Sequence, residues 1–176
     1  METPPRSQVH AREGRMTWSR SLNDATPELA SRCLVLERQF YRDRAPLAIC
    51  WTRTLVTLDV QHAIWLQGRA ATDVVNATRE MLGLGKITDA QNVVVTWTAP
   101  EKSKHLAGPD GKAWAADAGI GVDPDGPNGP LKVQIAYKDL GPYQHMGALA
   151  KALGLQWGGD FRPKPDSCHV QMPRPA

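Results

Sequence analysis

The spacing of apolar residues predicts four helices. TPE at 26–28 is typical of a helix start, because it combines a capping hydroxyl, a proline and an early acid. The apolar residues that follow recur at helical spacing on one face: Leu29, Cys33, Leu36 and Phe40. Further helices are predicted over 57–69, 72–83 and 139–154. The last has an apolar side made of Leu140, Tyr143, Met146, Ala150 and Leu153.

Short β-branched or alternating runs predict strands between and after these helices. The predicted strands are 47–51, 92–97, 114–122, 131–137 and 168–172, and WGGD at 157–160 reads as a turn. Helices come first and strands gather around the polar motifs. The expected fold class is therefore α+β, a small antiparallel sheet flanked by helices.

Length and composition predict one globular domain. The 176 residues are 41% hydrophobic and 22% charged, which is close to globular averages. Residues 1–15 are polar without an apolar period, so we expect a disordered tail followed by a single domain over 16–176.

Charge and cysteine content narrow the function classes. A net charge of +3 without dense clusters of lysine and arginine argues against a nucleic-acid partner. Three cysteines without a CxxC motif indicate free thiols in a reducing cytoplasm. We expect neither a membrane-spanning helix nor a secretion signal, since the chain has no apolar run of about 18 residues and no apolar core near its start.

Two histidines and two acids could form a metal site. His105, Asp117 and His169 have the residue types of a three-ligand catalytic zinc site, and Asp166 lies where a general base could stand. The alternative is ordinary turn structure, because PDG at 109–111 is a turn signal. GVDPDGPNG at 121–129 is also read as a turn, although Asp123 and Asp125 leave a second ion site open.

Three ordered blocks make the chain similar to a known family. Ser103, His105, Gly108, Ala115 and Asp117 fit the Ser-x-His-x-x-Gly-x-Ala-x-Asp signature of zinc D-alanyl-D-alanine carboxypeptidases and L-alanyl-D-glutamate endopeptidases. LGLQWGGDFRPKPDSCHVQM resembles that family's second block, and TRTLVTLDVQHAIWLQGR resembles the arginine-containing turn and helix of its phage endolysin branch. The resemblance covers roughly residues 20–172.

The resemblance implies a ligand set and a catalytic acid. His105, Asp117 and His169 would bind one zinc ion, and Asp166 would activate the attacking water. Eleven residues separate His105 from Asp117, which is longer than the family's pattern. This leaves Asp110 as a competing third ligand. Asp117 is preferred because it keeps the Ala-x-Asp step.

The resemblance also implies substrate contacts. Arg53 would stabilise the oxyanion or hold a substrate carboxylate, with a surface salt bridge as the alternative. Ser103 would lie near the substrate. Trp157 is the tryptophan that we expect closest to the cleft. Cys168 is expected to point away from the zinc, since neighbours in a strand face opposite sides.

The expected function is that of a zinc metallopeptidase that hydrolyses peptidoglycan stem peptides. The endolysin branch implies a monomeric phage or prophage enzyme, made in the host cytoplasm and reaching the cell wall after holin release. The alternative is a non-catalytic cell-wall-binding or structural phage module with the same fold. Whether an endopeptidase or a carboxypeptidase bond is cut stays open, because both activities use the same zinc chemistry.

Overall fold

A computed structural model describes residues 18–123, 133–134 and 139–173, and it confirms the α+β class. The sheet is antiparallel, with strand order β1-β2-β5-β4, and β3 pairs with the far end of β2. The helices are α1 (Pro27–Arg44), α2 (Leu58–Leu66), α3 (Thr72–Met81) and α4 (Leu140–Ala152). The strands are β1 (Leu47–Arg53), β2 (Ala115–Val122), β3 (Val133–Gln134), β4 (Gln156–Trp157) and β5 (His169–Gln171).

The core lies between one face of the sheet and the pair α1 and α4. Alternate residues of β2 (Ala116, Ala118 and Ile120) join this core, and Val170 of β5 does the same. Because side chains alternate along a strand, Asp117 points to the opposite face. Helices α1 and α4 therefore cover one side of the sheet, and the polar residues of the motifs occupy the other.

The helix predictions are confirmed with one exception. The buried residues of α1 are the four that its spacing predicts, and Thr26 caps the helix by accepting a hydrogen bond from the Leu29 amide at 3.3 Å. Thr57 caps α2 in the same way. In α4 the prediction for Leu140 is wrong, since this first residue of the helix is 49% exposed.

The predicted strand at 92–97 is wrong. The segment runs from a 3-10 turn (Asp89–Gln91) into extended chain that pairs with no strand of the described residues. Its exposed side chains still alternate: Val93, Val95 and Trp97. Asn92 fixes one end by accepting from the Gly68 amide at 2.8 Å, and Arg69 donates to the Thr96 carbonyl at 2.9 Å. Side chains therefore hold this segment in place of a neighbouring strand.

Some predictions fall partly or wholly outside the described residues. Of the predicted strand 131–137, only β3 is described. Residues 1–15 and most of the turn at 121–129, including Asp125, also lie outside. None of the helices in the described ranges combines the length and the apolar character needed to cross a membrane.

Candidate metal and catalytic site

Three site residues lie in one row across three neighbouring strands. On β2, Asp117 stands opposite Arg53 of β1 and opposite His169 of β5. Directly opposed residues in a sheet bring their side chains close together on the same face. Strand register therefore assembles Arg53, Asp117 and His169, which are far apart in sequence.

A bulge in β1 brings Arg53 into this row. Trp51 pairs with Ala118, and Arg53 pairs with the next residue of β2, Asp117, so β1 carries one extra residue here. Such a bulge re-aims the side chain that follows it. Without this bulge, alternation would leave Trp51 and Arg53 on the same face, and Trp51 belongs to the core.

His105 reaches the row from the loop after a 3-10 turn (Pro100–Lys102). Its backbone carbonyl accepts from the Val56 amide at 2.9 Å, and its Nδ1 lies 2.9 Å from the Thr54 carbonyl. Only 4% of the residue is exposed. The contact with Thr54 makes Nδ1 the protonated nitrogen when the ring is neutral, so Nε2 faces the other site residues as an acceptor or ligand.

The three predicted ligands form a compact, buried cluster. The Asp117 Oδ1 lies 3.2 Å from Nε2 of His105 and 2.9 Å from Nδ1 of His169. A tetrahedral zinc ion with bonds of about 2.0–2.2 Å separates its ligand atoms by roughly 3.3 Å. The spacing and the two-nitrogen, one-oxygen donor set both fit a metal ion at this point. Asp110 is exposed and instead accepts from the Lys112 amide at 3.1 Å, so Asp117 is the acid of this cluster.

Both histidines have partners that orient their rings. His169 Nε2 lies 3.1 Å from Oε1 of Gln171, and the amide of Gln171 donates to Gln156 Oε1 at 2.7 Å. The Thr54 carbonyl has the corresponding role for His105. Such outer hydrogen bonds fix the tautomer of a metal-binding imidazole and support its affinity.

The charge of Asp117 is strongly stabilised. Arg53 donates to its Oδ2 through Nε at 2.7 Å and through Nη2 at 2.5 Å, while Oδ1 faces the histidines. Burial alone would raise the pKa of Asp117, but His105, Arg53 and His169 together hold that pKa well below its usual value. Burial would lower the pKa of His169, yet its contact with Asp117 raises it. A metal ion must displace this proton, because imidazole binds metal in its neutral form.

Asp166 stands beside the cluster with Cys168 as its partner. The Cys168 thiol donates to Asp166 Oδ1 at 3.0 Å, and a ligand atom of each lies within 4.8 Å of one from Asp117. The expectation that Cys168 points away from the ion rests on strand alternation, which does not apply because Cys168 lies in the turn before β5; the thiol does not belong to the group formed by His105, Asp117 and His169. Burial, together with the charges of Asp117 and Asp166, raises the thiol's pKa far above its usual value. The thiol is therefore protonated and serves as a donor.

Gly158 lets the loop that carries Asp166 pack against the turn after β4. A Cβ atom at Gly158 would lie 2.3 Å from the Asp166 carbonyl oxygen and 2.9 Å from the His169 Cβ. The Asp166 amide also donates to the Gly158 carbonyl at 2.8 Å. The first glycine of WGGD therefore fixes the distance between this turn and two site residues.

We expect Gly158→Ala to weaken both metal affinity and stability. Because the new methyl group would meet backbone as well as side chain, Asp166 and His169 must shift, at a cost of about 1–3 kcal/mol. Zinc titration and thermal unfolding would measure the two losses. Gly85→Ala is the matched control, since a Cβ there meets nothing within 4 Å. Wild-type zinc affinity in Gly158→Ala would contradict this reading.

Of the two remaining predicted substrate-binding residues, Ser103 lies next to the cluster and Trp157 lies away from the cavities. Ser103 lies beside the cluster, and its Oγ accepts from the His105 amide at 3.3 Å. Trp157 packs against Gly147 and Gly159 and donates to the Ser167 carbonyl at 2.9 Å. Trp157 lines neither of the cavities beside the cluster, so its contacts favour support of the 158–168 loop, and its substrate contact stays a prediction.

Sequence reasoning missed three residues of this site. Phe161 packs its ring 5.7 Å from that of His169, and Gln171 orients the same histidine. Gln61 of α2 is 2% exposed and lines a cavity next to His105, and its Oε1 has no hydrogen-bond partner in the described part of the chain. The available signal in the sequence was a glutamine on a predicted helix. The side to which its side chain points depends on how α2 packs, which the sequence does not show.

Comparison with known proteins adds no family. No family model matches the chain, and no curated protein is significantly similar to it. The resemblance to zinc peptidases of the cell wall therefore rests on the sequence motifs alone.

Proposed function

We propose that the protein is a zinc metallopeptidase that hydrolyses stem peptides of peptidoglycan. One observation carries the proposal. His105, Asp117 and His169 form a buried three-ligand cluster at a cavity, with the carboxylate of Asp166 beside it. Catalytic zinc sites use three protein ligands and keep one position for water or substrate. A site that only stabilises the fold would more often be closed by a fourth ligand.

Each residue of the cluster has a role in hydrolysis. His105, Asp117 and His169 would hold the ion, which supplies Lewis-acid polarisation of the peptide carbonyl when bound. Asp166 accepts a proton from the attacking water while the oxygen of that water forms a bond to the carbonyl carbon. It then gives that proton to the amine that leaves when the C–N bond breaks. The Cys168 thiol holds Asp166 in place without competing as a base.

Arg53 has a double role in this proposal. Its Nε and Nη2 hold Asp117 in position, and the guanidinium also lines the cavities on both sides of the cluster. A permanently charged group at this place stabilises negative charge that develops on a substrate carbonyl. The ion pair with Asp117 and the substrate role are therefore compatible.

The charges of the cavity suit a substrate rich in carboxylates. Three lysines line the cavity that contains His105 and His169, against the single acid Asp166: Lys102, Lys104 and Lys164. Stem peptides carry free carboxylates, so electrostatic attraction favours them over neutral peptides. By its resemblance to the endolysin branch, the enzyme would use this reaction to lyse the host cell.

Metal removal tests the proposal directly. The purified protein should contain about one zinc ion per chain and release peptide fragments from peptidoglycan, detected by mass spectrometry. A chelator should abolish release, and zinc should restore it where magnesium does not. A folded, zinc-loaded protein that leaves peptidoglycan intact would instead indicate the non-catalytic module. A protein that binds no metal would refute both the site and the reaction.

A further inference from the structure

Two cavities border the cluster formed by His105, Asp117 and His169. The first has a volume of about 660 Å³ and the second about 860 Å³. Both are lined by Arg53, Val95, Pro165 and Asp166. Each cavity alone falls in the range of about 300–1,000 Å³ of pockets that bury drug-sized ligands. A single terminal amino acid would leave most of either cavity unfilled.

The cluster lies at the junction of these cavities. His105 and His169 line the first cavity, whereas Asp117 and Cys168 line the second. Arg53 and Asp166, the residues proposed to act on the peptide bond, belong to both. The reacting bond would therefore lie between two spaces, each able to hold several substrate residues.

The extended segment 93–98 forms a wall along this path. Val95 borders both cavities, and residues 94–98 border the first. None of the backbone amides of 94–98 donates a hydrogen bond to a group in the described part of the chain. The segment is nevertheless held firmly, because Arg69 binds the Thr96 carbonyl and lies over the rings of Trp65 and Trp97. Extended peptides commonly bind by pairing with such an unpaired backbone edge.

The charged side chains that line the two cavities indicate which cavity binds the carboxylate-bearing part of a peptide. Lys102 is exposed and has no ion pair among the described residues, and Lys164 lies 4.3 Å from the centre of the Trp97 ring. The second cavity is lined by three arginines, Arg20, Arg53 and Arg79, but these face two carboxylates, Asp117 and Asp166, whereas Asp166 is the single acid that lines the first cavity. The first cavity therefore suits the carboxylate-bearing residues of the substrate.

We infer that the substrate is an extended, anionic peptide that passes through both cavities along 94–98, and that the enzyme cuts an internal bond. This inference rests on the proposed function and selects an endopeptidase over a carboxypeptidase. A carboxypeptidase requires a pocket that ends near the reacting bond and holds a free terminal carboxylate. Here a cavity lies on each side of the cluster, and the two share four lining residues.

A pair of substrates tests the inference. A synthetic stem pentapeptide with a free C-terminus and the same peptide as its C-terminal amide are digested by the zinc-loaded protein. We expect kcat/KM for the two to agree within about threefold, with fragments from an internal bond. Release of only the terminal residue, with the amide resistant, would overturn the inference and leave the proposed function intact. Cleavage of neither peptide, or of peptidoglycan, would contradict the proposed function itself.

Plugging each cavity gives an independent test. Gly85→Trp adds a large side chain in open space at the second cavity, and Thr98→Trp adds one at the first. Each variant should keep its zinc and unfolding temperature while kcat/KM for the pentapeptide falls at least about tenfold. Lys86→Trp is the matched control, because this neighbour of Gly85 lines neither cavity. Wild-type activity in Gly85→Trp would show that substrate does not enter the second cavity and would overturn the inference.

Discussion

Replacing His169 with alanine is expected to abolish both zinc binding and peptide hydrolysis. In the proposed site the imidazole would supply one of three protein ligands, through the nitrogen that lies 2.9 Å from Asp117. The two remaining ligands leave the site with too few donors for a catalytic zinc ion. A bound metal stabilises the charge of the transition state by several kcal/mol. A loss of about 4 kcal/mol corresponds to roughly a thousandfold lower turnover.

We expect the His169→Ala variant to stay folded, so that a loss of zinc and activity can be assigned to the missing imidazole. His169 lies at the start of β5, and the core residue of that strand is Val170, which stays in place. Zinc content after dialysis, turnover of peptidoglycan and thermal unfolding would be measured together. The control is His62→Ala on α2, a 47% exposed histidine paired with Glu101 at 3.2 Å. Zinc retention with normal lysis by His169→Ala would refute the proposed site.

Local patterns in the sequence were sufficient for most of the elements. The period of apolar residues placed α1 and its buried face, because an amphipathic helix must turn that face toward the core. Short β-branched or alternating runs likewise placed β1, β2 and β5 close to their observed bounds. These predictions depend only on neighbours within a few positions.

The arrangement of the site depends on contacts that are distant in sequence. The motif predicted which residues take part, but their row across β1, β2 and β5 is set by register, and the bulge after Trp51 shifts that register for Arg53. The cavities also depend on 93–98, whose composition favours a strand. That segment stays unpaired because Asn92 and Arg69 hold it against the end of α2. Tertiary contacts override β-propensity here.

Asp166→Asn is expected to separate metal binding from catalysis. The amide keeps the size of the carboxylate and retains an oxygen that can accept the Cys168 thiol hydrogen bond, so the loop should keep its position. It cannot take a proton from water. Loss of a general base commonly costs about 10²–10⁴-fold, so kcat should fall by that factor with zinc content and KM little changed.

The matched control is Asp160→Asn, the same substitution in the turn that supports the Asp166 loop. Asp160 is about half exposed and pairs with Lys151 at 2.8 Å, away from the cluster. Its loss should leave turnover near the wild-type value. Metal analysis and steady-state kinetics on both variants would isolate the contribution of Asp166.

The result also decides between two possible metal positions that share Asp117. Asp117, Asp166 and Cys168 could themselves hold an ion, and in that case Asp166→Asn and Cys168→Ala would both lose zinc. With the ion held by His105, Asp117 and His169, Cys168→Ala keeps its zinc and loses only the hydrogen bond that orients Asp166. We expect this second outcome, because both histidines have outer partners that orient their rings toward Asp117, as metal-binding imidazoles commonly have.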